Sequence, residues 1–80
     1  MNAKQAVAMR IKELCEKDHR AINSVANEAG ISPSTVYSIL NTKSKNPGIV
    51  TIHQVCDALH LTLREFFDSP LFDNVVLNID

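Results

Sequence analysis

Apolar residues recur at helical spacing along most of the chain, and the run near its middle is the most informative. Val25, Ala26 and Ala29 share one helical face, which ends at Gly30. A second helix with a new apolar face is predicted over residues 33–41. Gly30 supplies the positive φ of a sharp turn without a Cβ clash. Two short helices joined by a turn of three or four residues are typical of a helix-turn-helix.

The second of these helices has a marked start and two distinct faces. The Ser32 side chain can accept a hydrogen bond from the first free amides, and Pro33 suits the first turn, where no N–H partner is lost. At about 100° per residue, the apolar side chains turn inward and the polar ones outward. The inward residues are Val36, Ile39 and Leu40, and the outward ones are Ser34, Tyr37, Ser38 and Asn41.

Flanking patterns predict three further helices, so the fold is expected to be all-α, a compact bundle of four or five helices. The longest loop is expected over residues 42–50, with Pro47-Gly48 as its turn signal. Three residue pairs have the spacing of a capping box, in which each side chain caps the other's amide. These pairs are Asn2 with Gln5, Thr51 with Gln54, and Thr62 with Glu65.

Eighty residues are enough for one small domain, which we expect to occupy residues 1–70. The tail, residues 71–80, reads poorly as a helix, and its β-prone stretch at 75–79 could add a short strand. Because the tail is apolar, we expect residues 72–79 to pack against a second copy of the chain.

The helix-turn-helix region resembles the lambda-repressor-like family, which includes phage repressors, Cro proteins and XRE-type regulators. The resemblance is carried by Gly30 four residues after Ala26, by Val36 and Ile39, and by the segment that follows, at 41–47. It implies a regulator that binds operator DNA, usually as a dimer, with the second helix of the motif in the major groove.

Family positions carried onto this chain give two groups of candidate DNA contacts. The base-edge candidates are small hydroxyls and one phenol, so each contact should discriminate weakly between bases. The phosphate candidates lie in the following loop, and Arg10, Lys17 and Arg20 are weaker ones. The base-edge group is Ser32, Ser34, Tyr37 and Ser38, and the phosphate group is Asn41, Lys43, Ser44, Lys45 and Asn46.

Two departures from the family pattern bear on this interface. The second helix often begins with Ser or Thr followed by Gln, which clasps a phosphate, but here the pair is Ala21-Ile22. Thr42 and His60 stand where the family often has glycine after a helix. Because β-branched Thr takes a positive φ badly, we expect Asn41 to adopt the left-handed conformation in its place.

Charge is unevenly distributed along the chain. The net charge is −1, but residues 1–50 carry seven basic against four acidic residues, a net +3, and residues 51–80 carry one against five, a net −4. The basic half therefore holds the predicted motif, which is compatible with phosphate binding. With few cations to displace counterions, electrostatic attraction to DNA should be modest.

Other chemistry finds little support in the sequence. Cys15 and Cys56 are expected to be buried free thiols, and His53, Cys56 and His60 are too few ligands for a metal site. Since no phosphate loop, paired acids or nucleophile–base pair stands out, we expect no enzyme, cofactor, metal or small-molecule effector. We also expect no membrane segment, and a cytoplasmic location for a protein that is prokaryotic or phage-encoded.

The sequence thus predicts a transcription regulator that binds double-stranded DNA as a homodimer. The alternative is an antitoxin or anti-repressor module that acts mainly through protein contacts, which the acidic second half and apolar tail favour. Salt-sensitive DNA binding would separate the two.

Overall fold

The computed structural model describes residues 1–41 and 46–77, and within them the chain folds as an all-α bundle. The helices are α1 Ala3–Lys17, α2 Ile22–Ala29, α3 Pro33–Asn41, α4 Ile49–Ala58 and α5 Leu63–Phe67, followed by a 3-10 helix, Pro70–Phe72. The predicted fold class is therefore confirmed, including the two helices of the helix-turn-helix. None of the helices described is long and apolar enough to cross a membrane.

Two of the three expected capping boxes are present. The Asn2 and Gln5 side chains each accept the other residue's amide N–H at 2.9 Å, which fixes the start of α1. Thr62 and Glu65 do the same for α5, at 3.1 and 2.9 Å. The hydrogen bonds that Thr62 donates hold the pKa of the Glu65 carboxyl below its ordinary value, because they favour the ionised form.

The expected capping box of Thr51 and Gln54 is wrong, because α4 begins three residues earlier than that box requires. Its N-cap is Gly48, which has no side-chain cap and whose carbonyl accepts the first helical bond, from Ile52 N–H at 3.1 Å. Pro47 and Gly48 break the chain before that point, and β-branching at Ile49 and Val50 lowers helix propensity only slightly. Thr51 consequently lies inside the helix.

Left-handed residues end α1, α2 and α4. They are His19 with φ 55°, Gly30 with φ 75° and His60 with φ 60°. In each case the next amide bonds back to a carbonyl five residues earlier, as in the Schellman motif. These bonds join Arg20 to Cys15 at 2.9 Å, Ile31 to Ala26 at 2.9 Å, and Leu61 to Cys56 at 2.8 Å.

The same conformation was expected at Asn41, and there the expectation is wrong. Asn41 is the last residue of α3, so the helix has not yet ended where the reversal was predicted. Thr42 lies outside the described residues.

One apolar core joins the helices and supports the helix-turn-helix from behind. Phe66, Val25, Cys15 and Cys56 are its largest fully buried side chains, and both cysteines are free, as expected. Burial raises the pKa of both thiols, which makes them poor nucleophiles. α2 packs mainly on α4, and α3 on α1.

The tail contacts its own chain. Phe72 packs against Phe66 and Phe67, with ring centroids 6.2 and 5.0 Å away, so it belongs to the monomer's apolar cluster. The strand predicted at 75–79 is reduced, among described residues, to an isolated parallel bridge between Val76 and Asn2. Its hydrogen bond runs from Val76 N–H to Met1 O at 2.9 Å. Residues 78 and 79 lie outside the described part.

Replacing Gly30 should measure the cost of its left-handed conformation alone. A Cβ added at Gly30 would meet nothing within 4 Å, so steric exclusion by neighbours plays no part. Gly30→Ala should lower the free energy of unfolding by about 1–2 kcal/mol because of its φ. Gly30→Asn is the matched control and should lose less, since Asn tolerates this region. Equal losses for the two variants in urea unfolding would show that φ is not the cause.

Candidate nucleic-acid interface

The outward face of α3 is polar and open to solvent. Val36 and Ile39 are buried against the core, whereas Tyr37 is 69% exposed and Ser34 is exposed. Ser38 is half-buried at the edge of this face, and Asn41 is exposed at its end. The structure thus brings together, on one side of α3, the candidates predicted along this helix.

A cluster of hydroxyls marks the start of α3. Ser32 Oγ accepts the Thr35 amide N–H at 3.3 Å and so caps the helix, as expected. The same oxygen lies 2.9 Å from Thr35 Oγ1 and 3.2 Å from Ser34 Oγ. Sequence reasoning missed Thr35, although its position three residues after a capping serine is a usable signal. The cluster orders these hydroxyls before any ligand arrives.

The Ser38 hydroxyl donates its hydrogen bond within the helix. It donates to the Ser34 carbonyl oxygen at 3.0 Å, one turn earlier. A serine hydroxyl has one donor and two acceptor lone pairs, so Ser38 can only accept from a ligand while this bond lasts. This side chain therefore favours partners that donate.

Tyr37 stands beside a shallow groove between α3 and the first turn of α2. The groove is lined by Ala21, Ile22, Asn23, Val36, Tyr37 and Leu40. Ile22, which stands where the family often has a phosphate-clasping Gln, also packs against the core. Asn23 is exposed in this groove and was not among the predicted contacts. Its place in the first turn of α2 is the sequence signal that could have added it to the candidate contacts.

The phosphate candidates are only partly described. Asn46 is exposed just before α4, and Asn41 is exposed at the end of α3. Lys43, Ser44 and Lys45 lie outside the described residues, so their role stays a prediction.

Two weaker phosphate candidates make contacts within the fold. Arg10 Nε donates to Phe66 O at 2.7 Å, and its guanidinium also contacts Glu65 O at 2.9 Å and pairs with Glu13. Arg20 is likewise held by protein groups on α2 and α4. Their guanidinium donors satisfy carbonyls at helix ends, and a phosphate contact by either arginine stays a prediction. Lys17 is exposed and forms no ion pair among the described residues.

A metal site at the middle of α4 finds no support. Cys56 is completely buried in the core, whereas His53 and His60 are exposed. The described part of the chain contains no group of three or more residues suited to hold a metal ion.

Comparison with protein families identifies the fold that carries this surface. The sequence profile of the Cro/C1-type helix-turn-helix DNA-binding domain matches residues 10–70. The chain belongs to the Cro/C1-type helix-turn-helix family. This match covers α2 and α3 with the helices that support them, so the polar face of α3 lies on a DNA-binding domain of a transcription regulator.

A solved structure agrees with this family assignment. The chain is similar to a protein described as the prophage Lp1 protein 11, with 36% sequence identity and a TM-score of 0.84. The likeness covers 94% of this chain and 100% of that one. Comparison with curated proteins found no match.

The outward side chains of α3 should be dispensable for folding. Ser34→Ala and Tyr37→Ala remove exposed groups, so each should change the free energy of unfolding by less than about 0.5 kcal/mol. Val36→Ala on the buried face is the matched control and should lose clearly more, because it leaves a cavity. Thermal unfolding followed by circular dichroism measures all three. Strong destabilisation by Ser34→Ala or Tyr37→Ala would show that α3 presents another face.

Proposed function

We propose that the chain binds operator-type double-stranded DNA as a homodimer, with α3 in the major groove, and regulates transcription in a repressor-like manner. The observation that carries the proposal is the face of α3 with Ser34 and Tyr37, polar and exposed on a family-defined DNA-binding fold. The left-handed turn at Gly30 joins this helix to α2, as recognition through a helix-turn-helix requires.

Base readout by this face is expected to be modest. Ser38 can accept hydrogen bonds only, which favours the amino groups of adenine or cytosine in the major groove. Ser34 can bond to either kind of base edge, and the Tyr37 ring can pack on a thymine methyl. None of these side chains makes the bidentate contacts of Arg or Asn, so DNA shape and bridging water should add to specificity.

Phosphate contacts are assigned to the segment between α3 and α4. Lys43 and Lys45 bring the charge, and Ser44, Asn41 and Asn46 bring hydrogen-bond donors. Arg10 and Arg20 are held by protein groups. Lys43 and Lys45 are the cations nearest to α3 in sequence. Phosphate contacts fix the register of the domain on the duplex without reading sequence.

The homodimer is assigned to the tail. Val75, Val76 and Leu77 are 37%, 60% and 87% exposed, an apolar run at the chain's end that a second copy could cover. A two-fold dimer would place its recognition helices about 34 Å apart, in successive major grooves. Phe72 packs within its own monomer, so the interface should begin after it.

The same exposed run is what favours the alternative, an antitoxin or anti-repressor that acts through protein contacts. That module would need no phosphate contacts. Salt dependence of DNA binding therefore separates the two functions.

Replacing Lys43 and Lys45 by Ala should weaken binding to all DNA sequences alike. Each lost phosphate contact should also reduce the slope of log K against log salt by about 0.9. Fluorescence anisotropy with labelled duplexes over a salt series measures both effects. The matched control removes two exposed cations elsewhere, Lys12→Ala with Arg64→Ala, on α1 and α5. If the control lowers the slope as much as the loop variant does, the loop is not the phosphate-binding segment.

Shortening the tail tests the assembly. A chain that ends at residue 74 keeps Phe72 and its ring contacts, so it should stay folded. It should sediment as a monomer and bind a two-half-site operator far more weakly than the full chain does, while a single half-site should be bound about equally. A full-length chain that sediments as a monomer at micromolar concentration, both free and on DNA, contradicts the dimer.

A further inference from the structure

We infer that Arg20 and Glu28 are positioning residues for DNA recognition, whose ion pair seats α2 and thereby aims α3 without touching DNA. The inference rests on the proposed function. It adds to that function two residues that affect sequence specificity without lying in the DNA interface.

Arg20 connects three helices, two of them through its side chain and one through its backbone amide. Its terminal nitrogens donate to Ala58 O at the end of α4, at 3.0 Å, and pair with Glu28 on α2 at 2.8 Å. Ser24, also on α2, lies at the limit of hydrogen bonding at 3.5 Å. The backbone amide of Arg20 bonds back to Cys15 O and completes the turn that ends α1. The residue thus fixes α2 against both the helix before it and α4.

Glu28 lies where a helix alone would disfavour it. It is in the last turn of α2, two residues before Gly30, and the carbonyl end of a helix dipole repels a negative charge. The Arg20 guanidinium offsets that repulsion from 2.8 Å away. Because Glu28 adjoins the turn into α3, holding its side chain also restrains the orientation of that turn.

α2 depends on tertiary contacts to stay in place, through its packing on α4 and a few buried side chains. It is eight residues long, its N-cap Ala21 makes no side-chain cap, and only Val25 and Ala26 are fully buried in it. A helix this short has little stability of its own, so its seating depends on tertiary contacts. The ion pair is one of the most directional of these, because the planar guanidinium binds in fixed geometry.

A shift of α3 would affect the two kinds of DNA contact differently. Hydrogen bonds to base edges weaken steeply with distance and angle, whereas attraction between lysine and phosphate falls off gradually. Loosening α2 should therefore reduce affinity for the preferred sequence and leave nonspecific affinity and its salt slope nearly unchanged. If the ion pair served stability alone, the ratio of specific to nonspecific affinity would be unchanged in the folded protein.

Two substitutions at the pair isolate this effect. Glu28→Gln breaks the ion pair at an exposed side chain and removes a negative charge, which by simple electrostatics should favour DNA binding. Arg20→Lys keeps the charge but loses the planar, two-sided donor set. The matched control is Arg10→Lys, since Arg10 also clamps helix-end carbonyls but contacts α5 rather than α2 or α3.

The experiment measures dissociation constants of the full chain for its selected operator and for an unrelated duplex over a salt series. It is run well below the unfolding temperature of each variant. Glu28→Gln and Arg20→Lys should each lower the specific-to-nonspecific ratio by about tenfold, the size of one lost base contact, with an unchanged salt slope. Arg10→Lys should lower the unfolding temperature and leave the ratio as in the wild type.

Three results would overturn the inference. The first is a wild-type ratio in both pair variants. The second is a rise in specific and nonspecific affinity together in Glu28→Gln. The third is a drop in the specific-to-nonspecific ratio for Arg10→Lys as large as that of the pair variants. That result would mean that the ratio depends on stability alone. A wild-type chain that discriminates between no DNA sequences overturns the proposed function and this inference together, so the two failures are distinguishable.

Discussion

The left-handed reversal at a helix end is the constraint on which the bundle depends. Helices as short as α2 and α3 are stable only when packed, and packing requires the chain to turn back sharply between them. The reversal at Gly30 returns Ile31 to the core, and the one at His60 does the same for Leu61. The core, the support of α3 and the exposure of its polar face all follow from these turns.

Basic residues divide between two tasks. Arg10 and Arg20 each donate hydrogen bonds to carbonyls at helix ends and pair with a neighbouring carboxylate, so they stabilise the helix bundle. Arginine suits that task because its planar fork can bind several oxygens at once. The proposed contact with DNA is then left to lysines and hydroxyls, which is compatible with a net charge of −1. Its affinity should depend strongly on the few cations near α3.

Local signals predicted much of this fold, and long-range contacts were beyond them. Capping pairs such as Asn2 with Gln5 and the glycine at position 30 act within a few residues, so the sequence displays them directly. The start of α4 was misplaced because Thr51 and Gln54 have the spacing of a capping box, whereas the helix begins directly after Gly48, which caps it without a side chain. The contact between Arg20 and Ala58 joins positions 38 apart, and only the packed helices bring them together. In the candidate interface, the polar face of α3 could be predicted from the sequence. The hydrogen bond that Ser38 donates to the Ser34 carbonyl was visible only in the structure.

The proposed function depends on α3 reading DNA sequence from a major groove. Selection of bound duplexes from a random pool by the full chain tests it most directly. We expect enrichment of a sequence with two related half-sites whose centres lie about one helical turn apart, or a multiple of it. A pool that stays random through successive rounds, while the protein remains folded and retains DNA on the support, would contradict sequence-specific recognition by this helix.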